Sequence, residues 1–131
     1  MTTSARPLRR SADSRRVVLL VDDDNEFRHM LRRQLERRSG IAVLETSSAL
    51  GARTHLEQTF VDLIVADLNM PGGRGDELLT EVGERWPGVR RLLLSGFTTP
   101  DMVAEAPYEV LEKTLRPWLI VDAVVRLARS A

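Results

Sequence analysis

Five short apolar runs, each bounded by polar turn residues, restrict how this chain can fold more than any other feature. Each run is rich in Val, Ile or Leu and is too short for a core helix, which favours a buried β-strand. Val17–Val21 and Val61–Ala66 are almost continuously apolar, as strands covered on both faces are. The predicted strands are Val17–Val21, Ala42–Thr46, Val61–Ala66, Arg91–Leu94 and Tyr108–Leu111.

Segments with helical periodicity separate and follow these strands. The clearest begins after a capping residue, Asp24 or Asn25, and places its apolar residues on one stripe. The predicted helices are Asn25–Arg37, Ser48–Gln58, Asp76–Arg85, Thr99–Ala106 and Pro117 to about Arg129. Because strand and helix alternate five times, the sequence predicts an α/β fold, a doubly wound (βα)5 sandwich around a five-stranded parallel sheet.

The composition fits one domain of this kind and excludes other classes of protein. With 131 residues, 43% of them hydrophobic, the chain can bury a single core. It has no cysteine, which excludes disulfides and thiolate metal sites. No apolar run approaches the roughly 20 residues of a membrane-spanning helix. We therefore expect a cytoplasmic protein without membrane contact.

The first 16 residues differ in charge from the rest of the chain. They contain five arginines and one aspartate, so they carry +4 and the remaining residues carry −4. A nucleic-acid-binding domain would carry the positive charge on its folded body, so we expect no direct contact with nucleic acid. The segment also resembles an organelle presequence in composition, but Pro7 and the lack of an apolar stripe argue against one. We predict a disordered basic tail at residues 1–16 and a folded domain at 17–131.

Polar residues follow the predicted strands at the edge where an open parallel sheet binds its ligands. These residues are Asp22, Asp23 and Asp24 after the first strand, Asp67 at the end of the third, Ser95 after the fourth and Lys113 after the fifth. Carboxylates gathered there repel one another unless cations offset them. Oxygen ligands favour Mg²⁺ or Mn²⁺, and Lys113, the one lysine among 19 Lys and Arg residues, supplies an ammonium group.

Such a site suits phosphoryl transfer, in which the protein positions a nucleophile and neutralises spread negative charge. Asp67 would be the nucleophile, because a carboxylate can form an acyl phosphate. The metal ion, Lys113 and the Ser95 hydroxyl would hold the phosphoryl oxygens.

Four segments resemble the signature blocks of the receiver domain of bacterial two-component response regulators. They are VVLLVDDDNEFRHML, VDLIVADLNMPGGRGDELL, RRLLLSGF and VLEKTLRP, and they occur in order, each at a strand end. The resemblance covers Val17 to about Arg129. It implies the flavodoxin-like receiver fold and a phosphoprotein that works in a phosphorelay.

The resemblance also implies a role for each residue of the predicted site. Asp22 and Asp23 would bind Mg²⁺, with Asp23 preferred as a direct ligand, and the main-chain carbonyl of Asn69 would bind it too. Asp67 would be the phosphoacceptor and a metal ligand, Ser95 the switch hydroxyl and Lys113 the site's lysine. The phosphoryl group would come from the phosphohistidine of a sensor histidine kinase or from a phosphotransfer protein. The chain would catalyse its own phosphorylation and dephosphorylation but act mainly as a signalling module, which leaves its classification as an enzyme open.

Three features depart from the family pattern. Thr114 follows the lysine where proline is usual, and Val110 replaces the typical switch aromatic. Tyr108 is two residues earlier on the same face of the strand and could substitute for it. The segment from Ser95 to Lys113 is short and leaves barely two turns for the fourth helix.

These departures leave a second function open, a receiver-like docking or dimerisation module that does not depend on phosphorylation. A third, a phosphohydrolase of the haloacid type, is disfavoured because Asn69 stands where its motif needs a second aspartate. The chain ends soon after the last helix, so we expect either a single-domain regulator or a piece of a larger protein.

The last predicted helix has more apolar residues than one face requires. Its periodicity predicts that Ile120, Ala123, Val124 and Leu127 pack on the sheet, and that Trp118, Leu119, Val121 and Val125 lie on flanks open to water. We expect the face with Trp118 and Leu119 to bind a downstream partner or a second copy of the chain. The alternative is that Trp118 covers the gap left by the short fourth helix.

Overall fold

The computed structural model describes residues 15–114 and 116–131, so most of the predicted tail at 1–16 lies outside the described residues. The elements are β1 (Arg16–Val21), α1 (Asn25–Glu36), β2 (Ile41–Thr46), α2 (Ala49–Gln58), β3 (Leu63–Asp67), α3 (Gly75–Arg85), β4 (Arg90–Ser95), α4 (Pro100–Glu105), β5 (Glu109–Glu112) and α5 (Pro117–Arg129). Every predicted strand and helix is confirmed, with ends that differ by two residues or fewer. Arg16, assigned to the tail from the sequence, is the first residue of β1.

The five strands form one parallel sheet in the order β2-β1-β3-β4-β5. The chain leaves β1 toward one side of the sheet and returns to pair β3 on the other side, so the strand order reverses at β1. Val21 pairs with Ala66, which places the residues that follow β1 beside the end of β3. Ser95 pairs with Glu112, so Lys113 follows directly beside the end of β4.

Two hydrophobic cores cover the two faces of the sheet. Alternate residues of β1 show the division: Val18 and Leu20 pack with α1 and α5, whereas Leu19 and Val21 pack with α2 and α3. β3 is buried along its whole length, as a strand with helices on both faces must be. Within the described residues, no helix is both long and apolar enough to cross a membrane.

The prediction for α5 is partly wrong. Val121 and Val125 are 4% and 3% exposed and belong to the core, whereas Ala123 is only half-buried. The covered stripe is wider than the sheet alone requires, because α5 also packs against α1. Trp118 and Leu119 are exposed, at 57% and 39%, as predicted. Trp118 therefore does not serve as a buried cover for the short fourth helix.

The region around α4 is as short as the sequence indicates. α4 has six residues, of which none is buried, and Thr99 caps its first turn. Tyr108 and Val110 share one face of the sheet, and the guanidinium of Arg91 lies 5.2 Å from the centre of the Tyr108 ring. An open groove of about 420 Å³ lies beside them, lined in part by Met102 of α4.

Candidate functional site

Three carboxylates meet at the carboxyl ends of β1 and β3. Asp22, Asp23 and Asp67 each offer one oxygen, and these oxygens all lie within 4.8 Å of one another. Asp22 and Asp67 are buried, whereas Asp23 is exposed to solvent. The structure thus brings together the three acids that the sequence predicted at this edge.

The turn after β1 gives each of its acids a different position. The Asp22 N–H donates to the Thr46 carbonyl at 3.1 Å, and the Asp22 carboxylate accepts the Asp24 N–H at 2.9 Å. Asp24 in turn accepts the Phe27 N–H at 3.1 Å and caps α1. One of the three consecutive acids is therefore a helix cap, which leaves Asp22 and Asp23 for the site.

Lys113 reaches this group of acids from the end of β5. Its Nζ lies 2.9 Å and 3.2 Å from the two oxygens of Asp22 and 3.8 Å from Asp67 Oδ1. Burial by itself lowers the pKa of Lys113, but the hydrogen bond that Lys113 donates to Asp22 and the charges of Asp22 and Asp67 raise the pKa above its usual value. The ammonium group is therefore charged at neutral pH.

Asp67 is held in a strongly negative environment. Burial, followed by the charge of Asp22, raises the pKa of Asp67 to about 6, although Lys113 and the Asn69 N–H act against this rise. Lys113 brings one positive charge to a group of three carboxylates. The excess negative charge and the all-oxygen donor set fit a hard divalent cation.

The predicted residues Ser95 and Asn69 lie at the same edge. Ser95 is buried, and its hydroxyl donates to the Phe97 carbonyl at 2.6 Å while it accepts the Phe97 N–H at 3.3 Å. The hydroxyl thus holds the start of the loop between β4 and α4, and the Phe97 side chain is 70% exposed. The main-chain N–H of Asn69 bonds the Asp67 carboxylate, which places Asn69 beside the acid.

Gly75, the first residue of α3, has a structural role that the sequence argument missed. A Cβ at this position would lie 2.1 Å from the main-chain oxygen of Asp67, so only glycine allows the helix to begin this close to β3. Its N–H also donates to the Leu68 carbonyl at 2.9 Å. Nothing in the loop GGRG distinguishes Gly75 from the other glycines until the packing is known.

Arg28 was missed as well. It is a buried arginine on α1, and its guanidinium donates to the main-chain carbonyl of Asp22. The sequence does hold a signal, because Arg28 shares helical spacing with the core residues Leu31 and Leu35. An arginine at an apolar position of a helix indicates a buried charged partner.

The comparisons with known proteins agree with this geometry. Residues 18–123 match the family model of the response regulator receiver domain. The chain is 36% identical over 122 residues to the hydrogenase transcriptional regulatory protein HoxA of Cupriavidus necator, a match that covers 92% of this chain and 25% of HoxA. It is 27% identical to the response regulator receiver protein CpdR of Brucella abortus, over 87% of this chain and 98% of CpdR.

The solved structures lead to the same family. The signal receiver domain of an HD domain-containing protein from Pseudomonas fluorescens superposes with a TM-score of 0.76 at 25% identity, over 88% of this chain and 95% of that domain. This chain spans about a quarter of the length of HoxA and of the C4-dicarboxylate transport regulator DctD of Pseudomonas aeruginosa. The match to the family model covers most of the chain, so the chain belongs to the family of response regulator receiver domains.

Proposed function

We propose that this receiver domain accepts a phosphoryl group on the carboxylate of Asp67 and signals by protein contact. The observation that carries the proposal is the position of Lys113, whose Nζ lies 2.9 Å from Asp22 and 3.8 Å from Asp67. The donor would be the phosphohistidine of a sensor histidine kinase or of a phosphotransfer protein. Mg²⁺, or Mn²⁺, would be held by Asp22, Asp23, Asp67 and the main-chain carbonyl of Asn69.

In the proposed transfer, an oxygen of Asp67 attacks phosphorus and forms an O–P bond. The P–N bond of the donor breaks, and its electron pair leaves with the imidazole. Lys113 and the Ser95 hydroxyl would hold phosphoryl oxygens. When bound, the metal ion would neutralise part of the negative charge of the carboxylates and the phosphoryl group. The Ser95 hydroxyl would have to leave the Phe97 carbonyl, which couples the transfer to the loop between β4 and α4.

The output surface we propose is the exposed start of α5. Trp118 and Leu119 are large apolar side chains in contact with water, and Trp118 borders a groove of about 320 Å³ together with Gln34 of α1 and Arg38, which follows the end of that helix. Exposed aromatic residues of this kind commonly anchor protein interfaces. A downstream partner or a second copy of the chain would bind here.

The second candidate function is a docking or dimerisation module that works without phosphate. Two observations favour it: α4 buries none of its residues, and Val110 takes the place of a larger switch side chain. In this case the site would remain as a structural feature, and binding at Trp118 would not depend on the state of Asp67.

Intact-mass measurement separates the two functions. The protein is incubated with phosphoramidate or acetyl phosphate, with and without Mg²⁺. We expect a gain of one phosphoryl group that requires the metal, is absent in Asp67→Asn and persists in Asp101→Asn, an exposed acid on α4. No gain in the wild-type protein, or a gain that survives Asp67→Asn, would exclude the proposed function.

A further inference from the structure

The guanidinium of Arg28 connects three parts of the chain next to the acidic site. Arg28 is 8% exposed and lies one turn into α1. Its Nη1 donates to the Asp22 carbonyl at 2.5 Å, and its Nε donates to Glu45 Oε1 at 2.7 Å. Glu45 belongs to β2 and also accepts a bond from Arg32 at 2.7 Å. One side chain therefore links α1, the end of β1 and the end of β2.

These contacts fix the peptide group between the two acids at the end of β1. The Asp22 N–H is held by the Thr46 carbonyl of β2, and the Asp22 carbonyl is held by Arg28. That carbonyl belongs to the same planar peptide unit as the Asp23 nitrogen. Holding it therefore sets the direction in which both Asp22 and Asp23 leave the strand. A buried carbonyl without a donor would be costly, so the bond is also favourable for the fold.

Glu45 keeps the guanidinium in this position. Burial by itself raises the pKa of Glu45, but the hydrogen bonds from Arg32 and Arg28 lower it below its usual value, so the carboxylate stays ionised. A guanidinium presents donors in a rigid planar fork and can hold Glu45 and the Asp22 carbonyl at once. A lysine ammonium at the same position is a point charge on a flexible stem and cannot match both directions.

We propose that Arg28 is a positioning residue for the metal site: it orients Asp22 and Asp23 through the main chain without touching the ion. The inference rests on the proposed function, since it concerns Mg²⁺ at the same acids. Groups that orient metal ligands typically contribute 10- to 100-fold to metal affinity. The positioning role also predicts the direction in which the Mg²⁺ affinity changes when Arg28 is replaced. Removing a positive charge near a metal site should strengthen metal binding by electrostatics alone, whereas loss of orientation should weaken it.

The experiment is a titration with Mg²⁺ followed by ¹H–¹⁵N NMR of the full chain, which reports both the fold and the metal affinity. The variants are Arg28→Lys and Arg28→Met. The matched control is Arg53→Met, which removes an arginine that pairs with Glu81 at 2.9 Å between α2 and α3. We expect the dissociation constant of Mg²⁺ to rise about tenfold or more in both Arg28 variants. The amide signal of Asp23 should move before metal is added, and Arg53→Met should match the wild type in both respects.

Several results would overturn the inference. Mg²⁺ binding by Arg28→Met that equals or exceeds wild-type affinity would show that Arg28 acts on the fold or by charge only. Wild-type affinity in Arg28→Lys would show that the planar fork of the guanidinium is not required to orient the two acids. If Arg28→Met does not fold, Arg28→Lys decides, because it keeps the charge and the aliphatic stem. If the wild-type protein itself does not bind Mg²⁺, the proposed function fails together with this inference. If it binds and the Arg28 variants bind equally well, only this inference fails.

Discussion

Replacing Asp67 with asparagine should stabilise the metal-free domain at neutral pH. The substitution removes a buried charge that lies within 4.8 Å of two other carboxylates. Asparagine has nearly the same shape and keeps an oxygen that can accept the Asn69 N–H. The loss of the 3.8 Å contact with Lys113 opposes the gain, but Lys113 keeps its closer bonds to Asp22.

The raised pKa of Asp67 sets the upper limit of the effect. This pKa rises from 3.8 to about 6 in the folded protein. At about 1.4 kcal/mol for each pH unit of difference between the folded and unfolded states, the limit is about 3 kcal/mol. Solvent reaches the site beside the exposed Asp23 and screens part of this energy, so we expect a gain of about 1–2 kcal/mol. For a domain of this size the midpoint of thermal unfolding should rise by roughly 4–8 °C.

The pH dependence follows from the direction of the pKa shift. The folded state binds the Asp67 proton more tightly than the unfolded state, so this carboxyl favours folding below about pH 4. That advantage is lost as the pH rises to about 6, where the carboxyl ionises in the folded protein. Asparagine does not titrate. The Asp67→Asn variant should therefore gain its advantage between about pH 4 and pH 6 and keep it at higher pH.

Denaturant unfolding of both proteins at pH 4.5 and pH 8, in EDTA and in millimolar Mg²⁺, measures these differences. Mg²⁺ should stabilise the wild type by mass action and should reduce or reverse the advantage of Asp67→Asn, which lacks one of the proposed ligands. Asp101→Asn, on the exposed face of α4, serves as the control and should show no such pH dependence. A metal-free Asp67→Asn protein that is less stable than the wild type at pH 8, or an advantage of equal size at both pH values, would refute the argument.

Three other substitutions test separate parts of the structure. Lys113→Arg should lose most of its phosphorylation by phosphoramidate in the intact-mass assay, because a planar guanidinium cannot replace an ammonium 2.9 Å from Asp22; wild-type phosphorylation would contradict this. Gly75→Ala should lower the free energy of unfolding by about 1–3 kcal/mol in a denaturant titration, because the added Cβ would overlap a main-chain oxygen. The control is Gly88→Ala, which should lower this free energy far less because a Cβ at Gly88 would meet open space. Trp118→Ala should change the free energy of unfolding by about 0.5 kcal/mol or less, because Trp118 is exposed. It should weaken self-association in sedimentation or partner binding in pull-down measurements. A large loss of stability with unchanged association would show that Trp118 stabilises the fold instead.

The sequence by itself determined the fold and the place of the site. Five apolar runs alternating with amphipathic helices allow few arrangements other than a parallel sheet covered on both faces. In such a sheet, the residue that follows each strand lies at one common edge whatever the details of packing. The positions of Asp22, Asp67, Ser95 and Lys113 could therefore be predicted from chain order alone, and the structure brings them together.

Tertiary structure decided what depends on contacts between distant segments. Arg28 acquires its position from Glu45, a residue 17 positions away on another strand, and no local pattern specifies that bond. Gly75 is restricted by the end of β3, and Val121 and Val125 are buried because α1 closes over a flank that periodicity leaves open. Periodicity reports which face of an element is apolar. Packing decides which neighbours cover the rest of its surface. It also decides which main-chain groups lie within reach of a buried charge.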